Sequence, residues 1–178
     1  MRHFLKRASR GPTQQTVEIG YQNQSLSTTW NIPEAFENAG RTPLILNPII
    51  DGLQFTQVLM DGGSDLNLLY PDTVRKMGIE PTKIRHSRTS FKGVTPGPYA
   101  KCAGSILLEV LFGSPNNFRR EKLIFHIVPF ESEYQALLGR KAFVRFNALP
   151  HYASLTLKMP GPRGVILVRG SLKDPGLG

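Results

Sequence analysis

The sequence predicts an all-β fold, a closed or sandwiched barrel of short strands carrying one or two small helices. Three observations predict it. Short apolar runs recur through residues 41–170 and are punctuated by turn signals such as Asp51-Gly52, Gly113-Ser114-Pro115 and Pro160-Gly161-Pro162. Only two stretches, 71–77 and 140–146, carry the marks of a helix, and both are short. The alternation of strands with long helices that builds a parallel α/β sheet is absent, and evenly spaced short strands favour a barrel or sandwich.

Taken in order, residues 1–40 are polar, rich in Gln, Asn, Ser and Thr, and read as a lead-in or linker, with one short apolar piece at Trp30-Asn31-Ile32-Pro33. From Thr42 the character changes. Leu44–Leu46 and Ile49-Ile50 form an apolar run, Asp51-Gly52 is a strong hairpin signal, and Leu53–Met60 is expected as one return strand. Asn67–Tyr70 reads as a short strand. Pro71 sits at a helix start and Gly78 at its stop, giving about two turns. Residues 86–92 and 101–112 read as extended, with the Gly- and Pro-rich Gly93–Pro98 between them, and Gly113–Asn117 as a turn. Leu123–Val128 and Ala136–Leu138 follow as strands, Arg140–Phe146 as a helix, and Ser154–Met159 with Val165–Val168 as a closing hairpin. Residues 171–178 are expected as a flexible tail.

Composition sets limits on function. With 178 residues and 40% hydrophobic content the chain suffices for one ordinary domain with extensions. No apolar run has the length of a membrane span, and the basic N-terminus lacks the apolar stretch of a secretory signal. The single cysteine, Cys102, excludes an intramolecular disulfide and reads as a small packed residue. These features suit an intracellular, cytoplasmic setting. Lys and Arg outnumber Asp and Glu by 22 to 13, a net charge of +9. The charges are scattered and not interleaved with aromatics, so nonspecific proximity to RNA is the most that they imply.

The chemistry concentrates at Gln57–Tyr70. Val58-Leu59-Met60 leads into Asp61-Gly62-Gly63-Ser64, and Leu68-Leu69 follows. Strand interiors avoid Asp, and paired glycines weaken a sheet unless the backbone must turn tightly or approach another group. An acid held by buried strands on such a turn is what paired-carboxylate peptide hydrolysis requires; the same residues also fit an ordinary Asp-Gly hairpin turn. Other chemistries find no support. There is no phosphate-cradling loop, no His-Glu-x-x-His, no paired cysteines, and His3, His86, His126 and His151 share no ligand spacing, so neither a metal nor a cofactor is expected. Gly63-Ser64-Asp65 lacks the second glycine of a nucleophile elbow.

The order of these pieces resembles the retropepsin family of aspartic proteases, a closed barrel that is half of a two-lobed acid protease. The stretch from Leu59 to Gly164 is similar in particular to the protease region of gypsy-class retrotransposon polyproteins of plants. The likeness is carried by Leu59-Met60-Asp61-Gly62-Gly63-Ser64, Pro98-Tyr99, Ala136-Leu137-Leu138-Gly139-Arg140, Pro150-His151-Tyr152 and Leu157-Lys158-Met159-Pro160-Gly161-Pro162.

The resemblance implies an aspartic endopeptidase in which Asp61 is the catalytic acid, Gly63 allows close approach of two turns, and Ser64 hydrogen-bonds the outer oxygen of Asp61. Asp65 and Arg140 would form an ion pair, the loop Phe91-Lys92-Gly93-Val94-Thr95-Pro96-Gly97 a flap over the substrate, and Leu137-Leu138-Gly139 the strand behind the site. Read without the family, Ser64 is a turn residue, Asp65 and Arg140 are surface charges, and the loop is a surface loop. Only one such acid motif occurs, so a dyad requires a homodimer in which Asp61 meets its own copy. The substrate implied is an extended, largely apolar polyprotein segment. The family usually has Thr or Ser where this chain has Gly62, and losing those cross-chain hydrogen bonds would cost about 1 kcal/mol each. That departure keeps a catalytically silent dimerisation or peptide-binding module as the alternative.

Overall fold

The computed structural model describes residues 42–91 and 100–171. These belong to one unit, Asn38–Gly178. The lead-in expected over residues 1–40 and the tail from residue 172 onward lie outside the described residues. In chain order the strands are β1 (Leu44–Leu46), β2 (Ile49–Ile50), β3 (Leu53–Gln54), β4 (Val58–Met60), β5 (Asn67–Leu69), β6 (Ser90–Phe91), β7 (Ala100–Lys101), β8 (Gly104–Ser114), β9 (Asn117–Ile127), β10 (Ala136–Leu138), β11 (Leu149–His151), β12 (Thr156–Gly161) and β13 (Gly164–Arg169). Two α-helices, α1 (Pro71–Lys76) and α2 (Arg140–Phe146), complete the set, with single 3-10 turns at Pro81–Lys83 and Tyr152–Ser154.

Eight strands form one sheet in the order β1-β4-β10-β5-β9-β8-β2-β3. β1 and β2 are consecutive, joined by Asn47 and Pro48, yet stand six places apart in that order. Laid flat, six strand spacings would cover about 29 Å, whereas the link from Leu46 to Ile49 spans at most about 11 Å. The sheet must therefore curl until its ends approach. Its concave side holds the main core, including Leu44, Leu46, Val58, Met60, Val110, Phe125 and Leu138. β11-β12-β13 adds Leu157, Met159 and Ile166 to that core, and α2 adds Ala142, Phe143 and Phe146. The Phe146 ring meets Phe112 edge-on at 5.2 Å, a favourable aromatic geometry.

Local chemistry explains the connections. Asp51 and Gly52 both take left-handed backbone (φ 49° and 80°), the primed turn that matches strand twist, and they close β2 onto β3 through Ile50 and Leu53. The expected single return strand Leu53–Met60 is two pieces. β3 pairs with β2, while β4 pairs with β1, and the carboxamide oxygen of Gln135 accepts hydrogen bonds from the Thr56 and Gln57 amides between them. The expected strand 86–92 is likewise short, since only Ser90 and Phe91 are in β6, paired with β7.

β9 begins at Asn117, six residues before the expected Leu123, and pairs with β8 over its full length. Its outer half is held by charge. Arg119 and Arg145 share Glu121, and Arg120 lies 5.1 Å from the Phe118 ring centre and near Glu109. The β12–β13 turn is only Pro162-Arg163, closed by the Gly161–Gly164 pair, tighter than the five-residue break expected. Cys102 is buried, and burial pushes its thiol above its ordinary value, as befits a packing residue. No helix among the described residues is long and apolar enough to cross a membrane.

His126, on β9, is partly buried, and burial together with the charge of Lys141 pushes its imidazole below its ordinary value of 6.5. A depressed histidine contributes stability above its unfolded value and loses that contribution as pH falls through its folded value. Urea midpoints measured from about pH 7 down to about pH 4 are therefore expected to fall, and His126→Gln should flatten the part of that slope that lies below 6.5.

Candidate active site

The site arises from a crossing in the sheet. β4 ends at Met60 and β5 begins at Asn67, but they are not neighbours. β10 lies between them, parallel to β4 and antiparallel to β5. The turn from Asp61 to Leu66 must therefore stride over the end of β10, where Gly139 sits. A Cβ on Gly139 would lie 2.5 Å from the carbonyl oxygens of both Ser64 and Leu66, so only glycine fits beneath the turn.

Four interactions lash the turn to the end of β10. The Asp61 amide donates to the Leu138 carbonyl at 2.9 Å, and the Arg140 amide donates to the Ser64 carbonyl at 2.8 Å. The Gly139 amide donates to Asn67 Oδ1 at 3.0 Å. The Arg140 guanidinium donates to Asp65 Oδ1 through Nε at 3.0 Å, and also through Nη2. Both members of this ion pair are exposed, so it fixes geometry more than it adds stability.

Within the turn, the Gly63 amide donates to Asp61 Oδ1 at 2.8 Å. Among the described residues the second carboxylate oxygen of half-buried Asp61 accepts no hydrogen bond. One oxygen is thus held by the backbone of its own turn. Ser64 differs from its expected role. Its hydroxyl donates to the Leu66 carbonyl at 2.9 Å and accepts from the Leu66 amide at 3.2 Å, closing the turn locally instead of touching Asp61. A serine two residues from a backbone amide commonly forms such a loop. Of the expected flap, Phe91 ends β6, while Lys92, Gly93, Val94, Thr95, Pro96 and Gly97 lie outside the described residues.

The sheet is apolar on both faces here. Met60, Leu69 and Leu138 point into the main core, and Leu59, Leu137 and Leu68 form a row across the other face, in register. Tyr70 and Val128 are buried with that row, and Tyr134 packs on it. By strand alternation Asp61 follows Leu59 onto the same side. The carboxylate therefore stands at the end of an apolar row whose partly exposed members are Leu59, Leu66 and Tyr134.

Three residues of the site escaped sequence reasoning. Asn67 is 2% exposed, and besides receiving the Gly139 amide it donates to the Ile124 carbonyl at 3.1 Å. A lone Asn in an apolar strand was the available signal, because buried amides must find partners. Tyr70 lies close enough for Asp61 to act on it. Burial pushes its phenol up, hydrogen bonding to Ser132 pulls it down, and the Asp61 charge adds a further upward push. Tyr152 comes from the other end of the sequence. Its hydroxyl would stand 3.5 Å from a Cβ on Gly62, beside Phe143, so it fills space beneath the turn. Nothing in the sequence pairs positions 62 and 152. Among the described residues no group of His, Cys, Asp and Glu is arranged to hold a metal ion.

Solved structures of similar shape fit this arrangement. The retroviral protease-like domain of Ddi1 from Leishmania major matches over 76% of this chain and 98% of that one, with a TM-score of 0.53 and 13% identity. The fold is retropepsin-like. A retropepsin-like aspartic protease from Rickettsia conorii matches at 18% identity over 69% of this chain and 79% of its own, with a TM-score of 0.46. EIAV protease complexed with the inhibitor HBY-793 matches at 16% identity over 62% of this chain and 92% of its own, with a TM-score of 0.42. No protein-family model matches the sequence, and no curated protein matches it.

The two glycines on either side of this crossing should respond differently to a methyl group. Gly139→Ala drives a Cβ into two backbone oxygens and is expected to destabilise by about 1–3 kcal/mol, as overpacking does. Gly62→Ala meets only ordinary contacts and should change stability by less than about 0.5 kcal/mol. Chemical denaturation of both variants checks the pair.

Proposed function

We propose that this chain is an aspartic-type endopeptidase that works as a homodimer, with Asp61 of each copy supplying one carboxylate. The observation that supports the reading best is the state of Asp61. It is anchored through its amide to Leu138, held through one oxygen by the Gly63 amide, accepts no hydrogen bond at the other oxygen among the described residues, and stands at the end of an apolar row.

In this scheme two facing carboxylates share one proton, because like charges a few ångströms apart cannot both ionise cheaply. The ionised one takes a proton from water as the water oxygen bonds to the scissile carbonyl carbon. The protonated one donates to the carbonyl oxygen. Collapse of the tetrahedral intermediate breaks the C–N bond and passes a proton to the departing amine. Residues 91–97 would cover the substrate as a flap and exclude water. The likeness of Leu59–Gly164 to plant gypsy-class polyproteins supports a retroelement polyprotein as the substrate, in the cytoplasm and beside RNA. Residues 41–170 would be the working domain, with 1–40 a linker and 171–178 a tail.

The bare backbone of Gly62 favours a second reading, a silent module of the same fold that dimerises or holds peptide without cleaving it. Cleavage of apolar peptides at mildly acid pH separates the two. Asp61→Asn is expected to lower turnover by at least about a thousandfold while leaving self-association in sedimentation unchanged, the size of loss usual for a central catalytic group. Absence of turnover by a dimer of native sequence would leave the silent module standing. Gly62→Thr restores a hydroxyl at a position with room for a Cβ, and sedimentation should show the dimer tightened by about tenfold, or 1.4 kcal/mol.

A further inference from the structure

A second concave surface begins at Leu66 and Asn67, where the Asp61 turn ends, and extends away from the carboxylate. The outer face of the β8–β9 ribbon, the segment 86–89 and one side of α2 enclose a cleft of about 860 Å³, within the size range of ligand sites. Its floor is the cross-strand pair Leu107 and Ile124, exposed by 56% and 55%. Its rim carries Arg88, Lys122, Lys141 and Arg145, and no Asp or Glu is among the described residues lining it. Three of these cations have no ion-pair partner among the described residues; the fourth, Arg145, shares Glu121 with Arg119. Glu109 stands opposite Lys122 in register but pairs with Arg120 instead. Burial and the Lys141 charge push the His126 imidazole below its ordinary value, and its Nδ1 lies 3.4 Å from the Ser87 hydroxyl.

We propose that this cleft docks an acidic segment of a partner protein in which aliphatic residues are interspersed among carboxylates. Charge complementarity sets the acidic half of the description. An apolar pair exposed between cations sets the aliphatic half, since burying both side chains rewards a ligand that brings hydrophobic groups between its charges. A nucleic-acid strand satisfies the charge but not the floor. Among the described residues no Phe, Tyr or Trp lines the cleft, so bases would lack the large aromatic platforms of a single-strand binding surface. β9 is paired with β8 along one edge and with β5 along the other from Phe125 to Ile127, and the Asn67 side chain occupies the Ile124 carbonyl beside the cleft. The segment is held by side chains, through ammonium and guanidinium groups on carboxylates and Leu107 and Ile124 on its aliphatic residues. None of this depends on the peptidase reading.

Fluorescence anisotropy on the full chain tests it, using labelled peptides that alternate Glu with Leu, Gln with Leu, or Glu with Ser, and a polyuridine oligonucleotide of matching charge. The Glu/Leu peptide should bind, and each of the other two peptides should bind at least about tenfold more weakly. Lys122→Glu combined with Lys141→Glu should abolish binding, with an unchanged melting transition showing that the protein is folded, and Asp61→Asn should bind as the native chain does. Three results overturn the proposal: no binding of the Glu/Leu peptide, undiminished binding to the folded double variant, or tighter binding of the oligonucleotide through the same lysines.

Discussion

The interaction on which the site depends is the attachment of the Asp61 turn to the end of β10. A turn that crosses another strand can satisfy only part of its backbone internally, as the Ser64 amide does on the Asp61 carbonyl, because the crossed strand occupies the space where a hairpin would pair. Here the two problems solve each other. Leu138 and Ser64 offer carbonyls, and Asp61, Gly139 and Arg140 offer amides. The backbone of β10 and the turn thereby complete each other's hydrogen bonding. The side chain of Asn67 closes the last gap, reaching the Gly139 amide with one end and the Ile124 carbonyl with the other. A carboxylate built onto such a turn is held by main-chain atoms from two distant parts of the sequence, 61–67 and 138–140. Its position is set by the sheet, not by the flexibility of a loop.

The same crossing explains why the strands around Asp61 are short and, apart from Asn67, apolar. β4, β5 and β10 each have three residues, and most of their side chains are buried on one face or the other. A strand covered on both sides loses the alternation of an ordinary half-exposed sheet. One face builds the barrel core, and the other becomes the floor beside the carboxylate.

Much of this was legible in the sequence because it rests on local chemistry. Asp51-Gly52, Pro71 with Gly78, and the Ala136–Leu138 run before a short helix are signals that depend on a few adjacent residues. What escaped was set by distant partners. The outer half of β9, Asn117–Lys122, reads as polar and charged, and it is a strand because β8 pairs with it and because Glu121 gathers Arg119 and Arg145. The break at 55–57 exists because Gln135, far along the chain, captures two amides there. The resemblance implies a Ser64 contact to Asp61, whereas the turn's curvature delivers the Ser64 hydroxyl to Leu66. The Asp65–Arg140 contact came from resemblance alone, since residues so far apart carry no local mark of their meeting.

The three glycines nearest the carboxylate are small for different reasons, and the difference bears on Gly62. Gly139 is compelled by packing, with two carbonyl oxygens where a methyl group would go. Gly63 is close to compelled, since a Cβ there would stand 3.1 Å from the Asp61 oxygen that its own amide holds. Gly62 is under neither demand. A Cβ at that position would make ordinary contacts with the Tyr152 hydroxyl and the Phe143 ring. Its backbone also avoids the left-handed region that glycine alone enters easily. Within a single chain the fold therefore permits a Cβ at position 62. Any steric constraint on it comes from outside the chain, from whatever packs against the turn, and in a symmetric dimer that would be the same turn of the second copy.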